Sequence, residues 1–182
     1  MEKTRFLFSG SGGQGVITAA ILMAEAAVRF EILNAVQTQS YGAAARGGAT
    51  RSDVIVWDKP IYFPKVTQAN VLVCLTQEAF NKYQETIRPG GLLITDSGFV
   101  KNTEKIDARK MALPMYAAVM DTIKKPVVFN LCMLGAVITA TELVRADSVK
   151  HLIEERFPPD FHETNFKAVD LGVSLVRDFY NK

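Results

Sequence analysis

Short apolar runs alternate with segments of helical periodicity in the first part of the chain. Residues 4–8 predict a first strand, and residues 16–30 predict a helix that is apolar on nearly every side. Residues 33–38 are a candidate for a second strand, and the β-branched side chains of residues 53–58 predict a third. A proline-bracketed connection follows, in which the aromatic residues Tyr62 and Phe63 either anchor a partner or pin the loop to its own core.

The middle of the chain continues this alternation with buried strands. The continuous apolar run 71–75 is typical of a strand buried on both faces of a parallel sheet. Thr76 is placed to cap a helix over residues 77–87, which we expect to end at the sequence Arg88-Pro89-Gly90-Gly91. Residues 92–95 predict the next strand. Strands and helices joined by short turns predict an α/β fold with a Rossmann-like, mostly parallel sheet flanked by helices.

The pattern beyond residue 100 is mostly helical. Residues 106–113 hold a candidate last strand, and Pro114 opens a short helix. We therefore predict a helical C-terminal region within a single domain of residues 1–182, with these further helices: 127–143, 146–157 and 161–180. The last of them is amphipathic and predicts a cover for the sheet. The apolar helices 16–30 and 127–143 also predict large buried interfaces, and a homo-oligomer when the chain is isolated.

A glycine-rich turn separates the first strand from the first helix. Gly10, Gly12 and Gly15 have G-x-G-x-x-G spacing, and Gly13 adds a fourth glycine. Bare backbone N–H groups and the positive end of the helix dipole favour a phosphate or carboxylate at such a turn. The same glycines also let a helix pack closely against a strand, so the spacing alone leaves both uses open. A dinucleotide site would place an acidic residue at the end of the second strand, where residues 37–39 read Gln-Thr-Gln, and this argues against NAD.

A second glycine-rich stretch covers residues 39–51. In a doubly wound sheet it would follow the second strand and lie at the carboxyl edge, beside the first glycine turn. Arg46 and Arg51 would bring guanidinium groups there to hold a phosphate or a partner's carboxylate. The alternative is a surface loop with turn glycines and two solvated arginines.

Composition and charge narrow the class of protein. The 182 residues are 48% hydrophobic and 22% charged with a net charge of +2, which favours neither nucleic acid nor an anionic membrane surface as a partner. Neither a membrane-spanning run nor a signal peptide is evident, so we expect a cytoplasmic protein. Cys74 and Cys132 stand alone in apolar runs and predict small buried side chains rather than cluster or zinc ligands. The sequence also lacks a complete catalytic set.

Several motifs together resemble the gamma subunit of 2-oxoacid:ferredoxin oxidoreductases. They are Gly10-Ser11-Gly12-Gly13-Gln14-Gly15, the stretch 39–48, Lys59-Pro60-Ile61 with Pro64, residues 75–79, Pro89-Gly90-Gly91, and Asn130 with Leu134-Gly135. The resemblance covers nearly the whole chain. The Ser40-Tyr41-Gly42 form of the second stretch looks most like the 2-oxoglutarate type.

The resemblance implies a subunit of a complex that decarboxylates a 2-oxoacid, forms an acyl-CoA and reduces ferredoxin. It implies thiamine diphosphate, magnesium and iron–sulfur clusters on partner alpha, beta and ferredoxin-like delta subunits, and coenzyme A at a shared site. This chain would carry no catalytic residue and no metal, and would be inactive alone. The residues implied for the CoA side of the site, or for the partner's backbone, are Gly10, Gly12, Gly13, Gln14, Gly15, Ser40, Tyr41, Gly42, Arg46, Gly47 and Gly48.

Other functions remain to be distinguished at this point. Gamma subunits of pyruvate, branched-chain 2-oxoacid and indolepyruvate oxidoreductases share the family. A stand-alone NAD(P)-binding reductase would use the same turn at residues 10–15. A phosphate-binding or scaffold domain without any catalytic association is the third class.

Overall fold

The computed structural model describes residues 1–39, 48–101, 103 and 106–181. The strands within these residues are β1 (Thr4–Gly10), β2 (Asn34–Gln39), β3 (Thr50–Trp57), β4 (Ala69–Cys74), β5 (Ile87–Asp96) and β6 (Ala108–Leu113). The α-helices are α1 (Val16–Phe30), α2 (Gln77–Tyr83), α3 (Met115–Thr122), α4 (Phe129–Thr141), α5 (Ala146–Arg156) and α6 (His162–Tyr180). Short 3-10 turns cover Gln84–Thr86, Pro126–Val128 and Pro159–Phe161.

The six strands form one sheet in the order β2-β3-β1-β4-β5-β6. Strands β1, β4, β5 and β6 pair in parallel, whereas β3 is antiparallel to both of its neighbours. Strand β2 therefore runs in the same direction as β1, although β3 lies between them. The predicted α/β class with a mostly parallel sheet is confirmed, and so is the helical C-terminal region.

The two faces of the sheet bury separate sets of apolar side chains. Phe6, Phe8, Val54 and Val73 point to the face that packs against α1 and the C-terminal helices. The side chains in between, such as Leu7, Ile55 and Leu72, point to the other face, where Phe80 of α2 covers them. This alternation follows from the two-residue repeat of a strand. Helix α1 and the C-terminal helices therefore lie on one side of the sheet, and α2 lies on the other.

Helices α4 and α6 cross at two glycines. A Cβ atom on Gly135 would lie 2.1 Å from the Val169 carbonyl oxygen, and one on Gly172 would lie 2.0 Å from the Cys132 carbonyl oxygen. The backbones thus meet without intervening side chains, and every residue of α4 from Phe129 to Ile138 is buried within the chain. The apolar character of this helix is explained by packing within the chain, so it gives no support to a large intermolecular interface, which stays a prediction.

The structure corrects two further details of the prediction. Helix α2 ends at Tyr83, and β5 begins at Ile87, so Arg88-Pro89-Gly90-Gly91 is an irregular start of a strand instead of a helix stop. Helix α6 packs mainly on α4, with little contact to the sheet. Among the described residues, no helix has both the length and the apolar character that crossing a membrane requires.

Candidate functional site at the glycine turn

The turn between β1 and α1 is closed by the side chain of Gln14. Its Oε1 accepts a hydrogen bond of 2.7 Å from the backbone N–H of Ser11, and the Gln14 N–H in turn reaches the Ser11 carbonyl at 3.3 Å. A Cβ atom on Gly10 would lie 2.4 Å from that same Oε1. A side chain at position 10 would push the end of the Gln14 side chain out of this hydrogen bond. The Oε1 of Gln14, predicted as a ligand contact, therefore has a role in shaping the turn.

Gly15 connects the turn to the first helix and to α4. Its φ of +69° lies in the left-handed region, and a Cβ atom there would be 2.5 Å from Nδ2 of Asn130. That Nδ2 donates a hydrogen bond of 3.2 Å to the Gly15 carbonyl oxygen. Asn130 is buried at the start of α4. The end of the turn is thus held by the Asn130 side chain, which lies 115 residues further along the sequence.

The N-terminus of α1 lines a cavity. Within the described part of the chain, no side chain caps this end, and the first turn of the helix contains no acidic residue. A cavity of about 250 Å³ lies here, lined by Ser11, Gly13, Gly15, Val16, Ile17 and Thr50. Uncapped N–H groups and the helix dipole give such a cavity a preference for anions.

Two reciprocal hydrogen bonds hold the start of β3 against the end of β1. The Thr50 hydroxyl donates to the Gly10 carbonyl at 2.9 Å, and the Ser9 hydroxyl donates to the Thr50 carbonyl at 2.6 Å. Within the second glycine stretch, residues 40–47 lie outside the described residues. Gly48, the first described residue after them, lies two residues before Thr50. At the other end of that stretch, Gln39 pairs with Ser52 of β3. Both ends therefore lie at the sheet edge that carries the glycine turn.

The remaining predicted residues of the second stretch, Ser40, Tyr41, Gly42, Arg46 and Gly47, lie outside the described residues. Their predicted role stays a prediction.

Arg51 does not serve this site. Its guanidinium makes two hydrogen bonds of 2.8 Å to the carboxylate of Asp53 and a third, of 2.7 Å, to the Val66 carbonyl. Arg51 and Asp53 are two residues apart on β3 and share the face of the sheet opposite α1. The prediction that Arg51 is a phosphate ligand at the carboxyl edge is wrong, because an internal carboxylate already neutralises it.

Asn130 and Thr50 are among the side chains of this site whose contacts the sequence did not reveal. Asn130 is the single polar residue in the apolar stretch 127–138. A lone amide in such a helix is a signal that a buried backbone group needs a partner. Thr50 carries no comparable signal, because threonine is common at the start of strands.

The two cysteines contribute no reactive thiol. Cys74 and Cys132 are both buried, and burial raises the pKa of Cys74. Burial, together with the nearby charge of Asp96, raises the pKa of Cys132 to about 12. The described residues hold no group of three His, Cys, Asp or Glu side chains that could bind a metal ion. The assignment of clusters and thiamine diphosphate to other subunits stays a prediction.

Comparison with known proteins decides the family. The model of the pyruvate ferredoxin/flavodoxin oxidoreductase family matches residues 5–175. The chain belongs to this family. The 2-oxoglutarate synthase subunit KorC of Methanocaldococcus jannaschii is 38% identical over 172 residues, which cover 93% of this chain and 92% of the relative. The common gamma subunit of the pyruvate/ketoisovalerate oxidoreductases of Thermococcus kodakarensis is 32% identical, over 90% of this chain and 91% of that protein.

A crystal structure shows the same architecture in this family. The gamma subunit of a keto/oxoacid ferredoxin oxidoreductase from Geobacter sulfurreducens superimposes with a TM-score of 0.90 at 35% identity, covering 98% of each chain. The resemblance drawn from the glycine motifs is therefore confirmed at the level of the family.

Proposed function

We propose that this chain is the gamma subunit of a 2-oxoglutarate:ferredoxin oxidoreductase and that it forms the CoA side of the shared active site. The observation that carries the proposal is the uncapped N-terminus of α1, which opens into a cavity at the edge where both ends of the Arg46 segment also lie. Family membership supports the class of enzyme, and the geometry of the turn supports a CoA-side role for this subunit.

The residues at the turn suit the phosphate groups of coenzyme A. Gly12 and Gly13 are exposed, a Cβ atom on Gly13 would meet nothing within 4 Å, and the dipole of α1 adds a positive partial charge. When bound, coenzyme A supplies the thiol that accepts the acyl group. The proposed task of this chain is to hold the phosphates through backbone N–H groups and the Arg46 guanidinium. Thiamine diphosphate and the clusters would belong to alpha, beta and delta partners.

The phosphate role is tested in the assembled complex with Arg46→Ala. A lost charge-assisted contact of about 1.5–3 kcal/mol should raise the apparent KM for coenzyme A about 10- to 100-fold. The KM for the 2-oxoacid should stay unchanged. Arg177→Ala, an exposed arginine on α6, is the matched control. An unchanged KM for coenzyme A in the Arg46 variant would assign Arg46 to a subunit interface instead.

The choice of 2-oxoglutarate is supported by the Ser40-Tyr41-Gly42 sequence and by the higher identity to a 2-oxoglutarate synthase subunit, 38% against 32% for the pyruvate/ketoisovalerate subunit. The purified complex should show a higher kcat/KM for 2-oxoglutarate than for pyruvate, 2-oxoisovalerate or indolepyruvate. A preference for any of the other three acids would contradict this choice while leaving the gamma-subunit role intact.

A further inference from the structure

The loop between β3 and β4 presents two aromatic side chains to solvent. Tyr62 is 89% exposed and Phe63 is 63% exposed. Of the two interpretations of this loop, the structure rejects the one in which both rings pack on the chain's own core. Exposed neighbouring aromatics are typical of protein–protein interfaces, where Tyr and other aromatic residues supply much of the binding energy.

The loop is held rigidly at both ends. At its start, the carboxylate of Asp58 binds the N-terminal amino group of Met1 at 2.8 Å. At its far end, Val66 is buried, and its carbonyl accepts the hydrogen bond from Arg51, whose guanidinium is fixed by Asp53. Between these points Ile61 packs on the core, and Pro60 and Pro64 restrict the backbone. A loop fixed in this way loses little conformational entropy on binding.

The charges around the aromatic pair are positive. Asp58 and the terminal amino group neutralise each other, as do Asp53 and Arg51. Lys59 and Lys65 are exposed next to the prolines, and in the described part of the chain neither forms an ion pair. Lys3 lies nearby, with its ammonium group 4.1 Å from the centre of the Trp57 ring. The remaining charge of this surface is therefore cationic.

A groove of about 450 Å³ lies beside the loop. Pro64, Lys65 and Thr67 form one wall, and Thr38 of β2 forms another. Thr38 lies directly before Gln39, where the second glycine stretch begins. The groove thus connects the aromatic loop with the sheet edge that carries the candidate site.

We infer that the aromatic loop, residues 59–65, and this groove are a docking surface for an electronegative face of another subunit of the same oxidoreductase. The inference rests on the proposed function, because it takes the partner to be a subunit of that complex. The cationic rim selects an acidic face, and the exposed Tyr62–Phe63 pair provides the apolar contact at its centre. The groove reaches Thr38 near the end of β2, so a partner seated in it would extend toward the sheet edge that carries the site.

The experiment compares tagged forms of the chain purified as complexes from the native host. Tyr62→Ser with Phe63→Ser should recover about tenfold less of the thiamine-containing subunits than the unchanged chain. Lys59→Glu with Lys65→Glu should also lower recovery, and should remove the weakening of the wild-type complex by added NaCl. The control variant combines Val28→Ser and Ile32→Ser. It removes two other exposed apolar side chains, one on α1 and one just after its C-terminal end, and it should leave the recovery of the thiamine-containing subunits unchanged. Thermal unfolding of each isolated variant should match that of the unchanged chain, because the altered side chains are exposed.

The outcomes separate this inference from the function on which it rests. If the unchanged chain recovers thiamine-containing subunits and the Tyr62/Phe63 variant recovers them equally, the docking surface is wrong and the proposed function stands. If the unchanged chain recovers no such subunits, both are overturned. If gel filtration shows a homodimer that the Tyr62/Phe63 variant abolishes while complex recovery is unaltered, the surface belongs to a second copy of the chain and the inference is wrong.

Discussion

Gly15 is the residue at which the turn, the first helix and α4 meet. Alanine there would occupy a left-handed backbone conformation, φ +69°, with its Cβ atom 2.5 Å from the Asn130 amide nitrogen. The conformation costs about 1–2 kcal/mol, and displacing Asn130 from the Gly15 carbonyl costs about 1 kcal/mol more. We predict that Gly15→Ala lowers the free energy of unfolding by about 2–3 kcal/mol, measured by urea denaturation.

Gly90→Ala is the matched control for this substitution. Gly90 has nearly the same φ, +68°, but a Cβ atom there meets nothing within 4 Å. Only the conformational cost of about 1–2 kcal/mol should appear. If the two variants lost the same free energy of unfolding, Asn130 would contribute nothing to holding the turn.

The same residues show what could be predicted at this scale. The glycine spacing predicted the strand, turn and helix, because positive φ and close approach leave glycine as the residue that fits. The contact with Asn130 could not be predicted, because it depends on where α4 packs against α1, 115 positions further along the chain. The inward fold of Gln14 was missed for a different reason, since a polar side chain in a turn is equally suited to a ligand or to the backbone.

At the scale of elements, the crossing of α4 and α6 depends on Gly135 and Gly172. A methyl group at either position would overlap a backbone carbonyl of the other helix, at 2.1 Å and 2.0 Å respectively. Backbone atoms cannot move aside alone, so the helices would have to separate and leave gaps in the core. We predict that Gly135→Ala and Gly172→Ala each cost about 3 kcal/mol in urea unfolding, despite the better helix propensity of alanine.

Ser174→Ala serves as the control on the same helix. Ser174 is exposed on α6, and its hydroxyl donates a hydrogen bond to the Asp170 carbonyl of its own helix, at 3.0 Å. We expect a change within about 0.5 kcal/mol. If the glycine variants were as stable as this control, the close contact between the backbones of α4 and α6 would be contradicted.

Glu31 joins the end of α1 to the start of α5. Its carboxylate accepts hydrogen bonds from the Arg145 backbone N–H at 3.0 Å and from the Ser148 hydroxyl at 2.5 Å. Burial works to raise the pKa of Glu31, but these bonds and the Arg145 charge outweigh it and hold the pKa below 4.5. A carboxyl with a lowered pKa in the folded state stabilises the protein above its unfolded pKa, and this stabilisation is lost as pH falls through the folded value.

Glu31→Gln should therefore be less stable than the unchanged chain at pH 7, by about 1–2 kcal/mol. The difference between the two proteins should shrink as the pH is lowered from 5 to 3. Glu163→Gln, at an exposed glutamate that pairs with Lys167 at 2.6 Å, is the control and should change stability little at pH 7. A constant difference across this pH range would show that the Glu31 charge is not responsible.

Helix α4 and strand β5 show the limits of prediction from periodicity. The apolar pattern of α4 located the helix correctly, but a pattern that is apolar on all sides does not say whether the cover comes from the same chain or another. The start of β5 was missed because Pro89 and Gly90 ordinarily end an element. Here Gly90 takes a positive φ within an irregular pairing, and its N–H bonds to the Asp107 carbonyl at 2.9 Å.

At the scale of the molecule, the position of β3 separates this chain from dinucleotide-binding folds. The strand patterns predicted the elements and a mostly parallel sheet, but they revealed neither the strand order nor the antiparallel direction of β3. Antiparallel β3 occupies the place beside β1 that a parallel strand holds in a doubly wound dinucleotide site. Topology therefore replaces the argument from the missing acidic residue at 37–39, because that segment lies two strands away from the glycine turn, and it gives an independent reason against a dinucleotide site.

This topology predicts how the chain responds to NADH. The anion-favouring end of α1 can interact with a diphosphate, but the strand arrangement that would position the ribose and nicotinamide is absent from the described residues. NADH should therefore bind to the purified chain no more tightly than inorganic pyrophosphate, with both measured by isothermal titration calorimetry at the same ionic strength. Pyrophosphate should also displace whatever NADH binds, because the two would share only the phosphate contact. Saturable NADH binding that is tenfold tighter than pyrophosphate binding would restore the stand-alone reductase as a function of this chain.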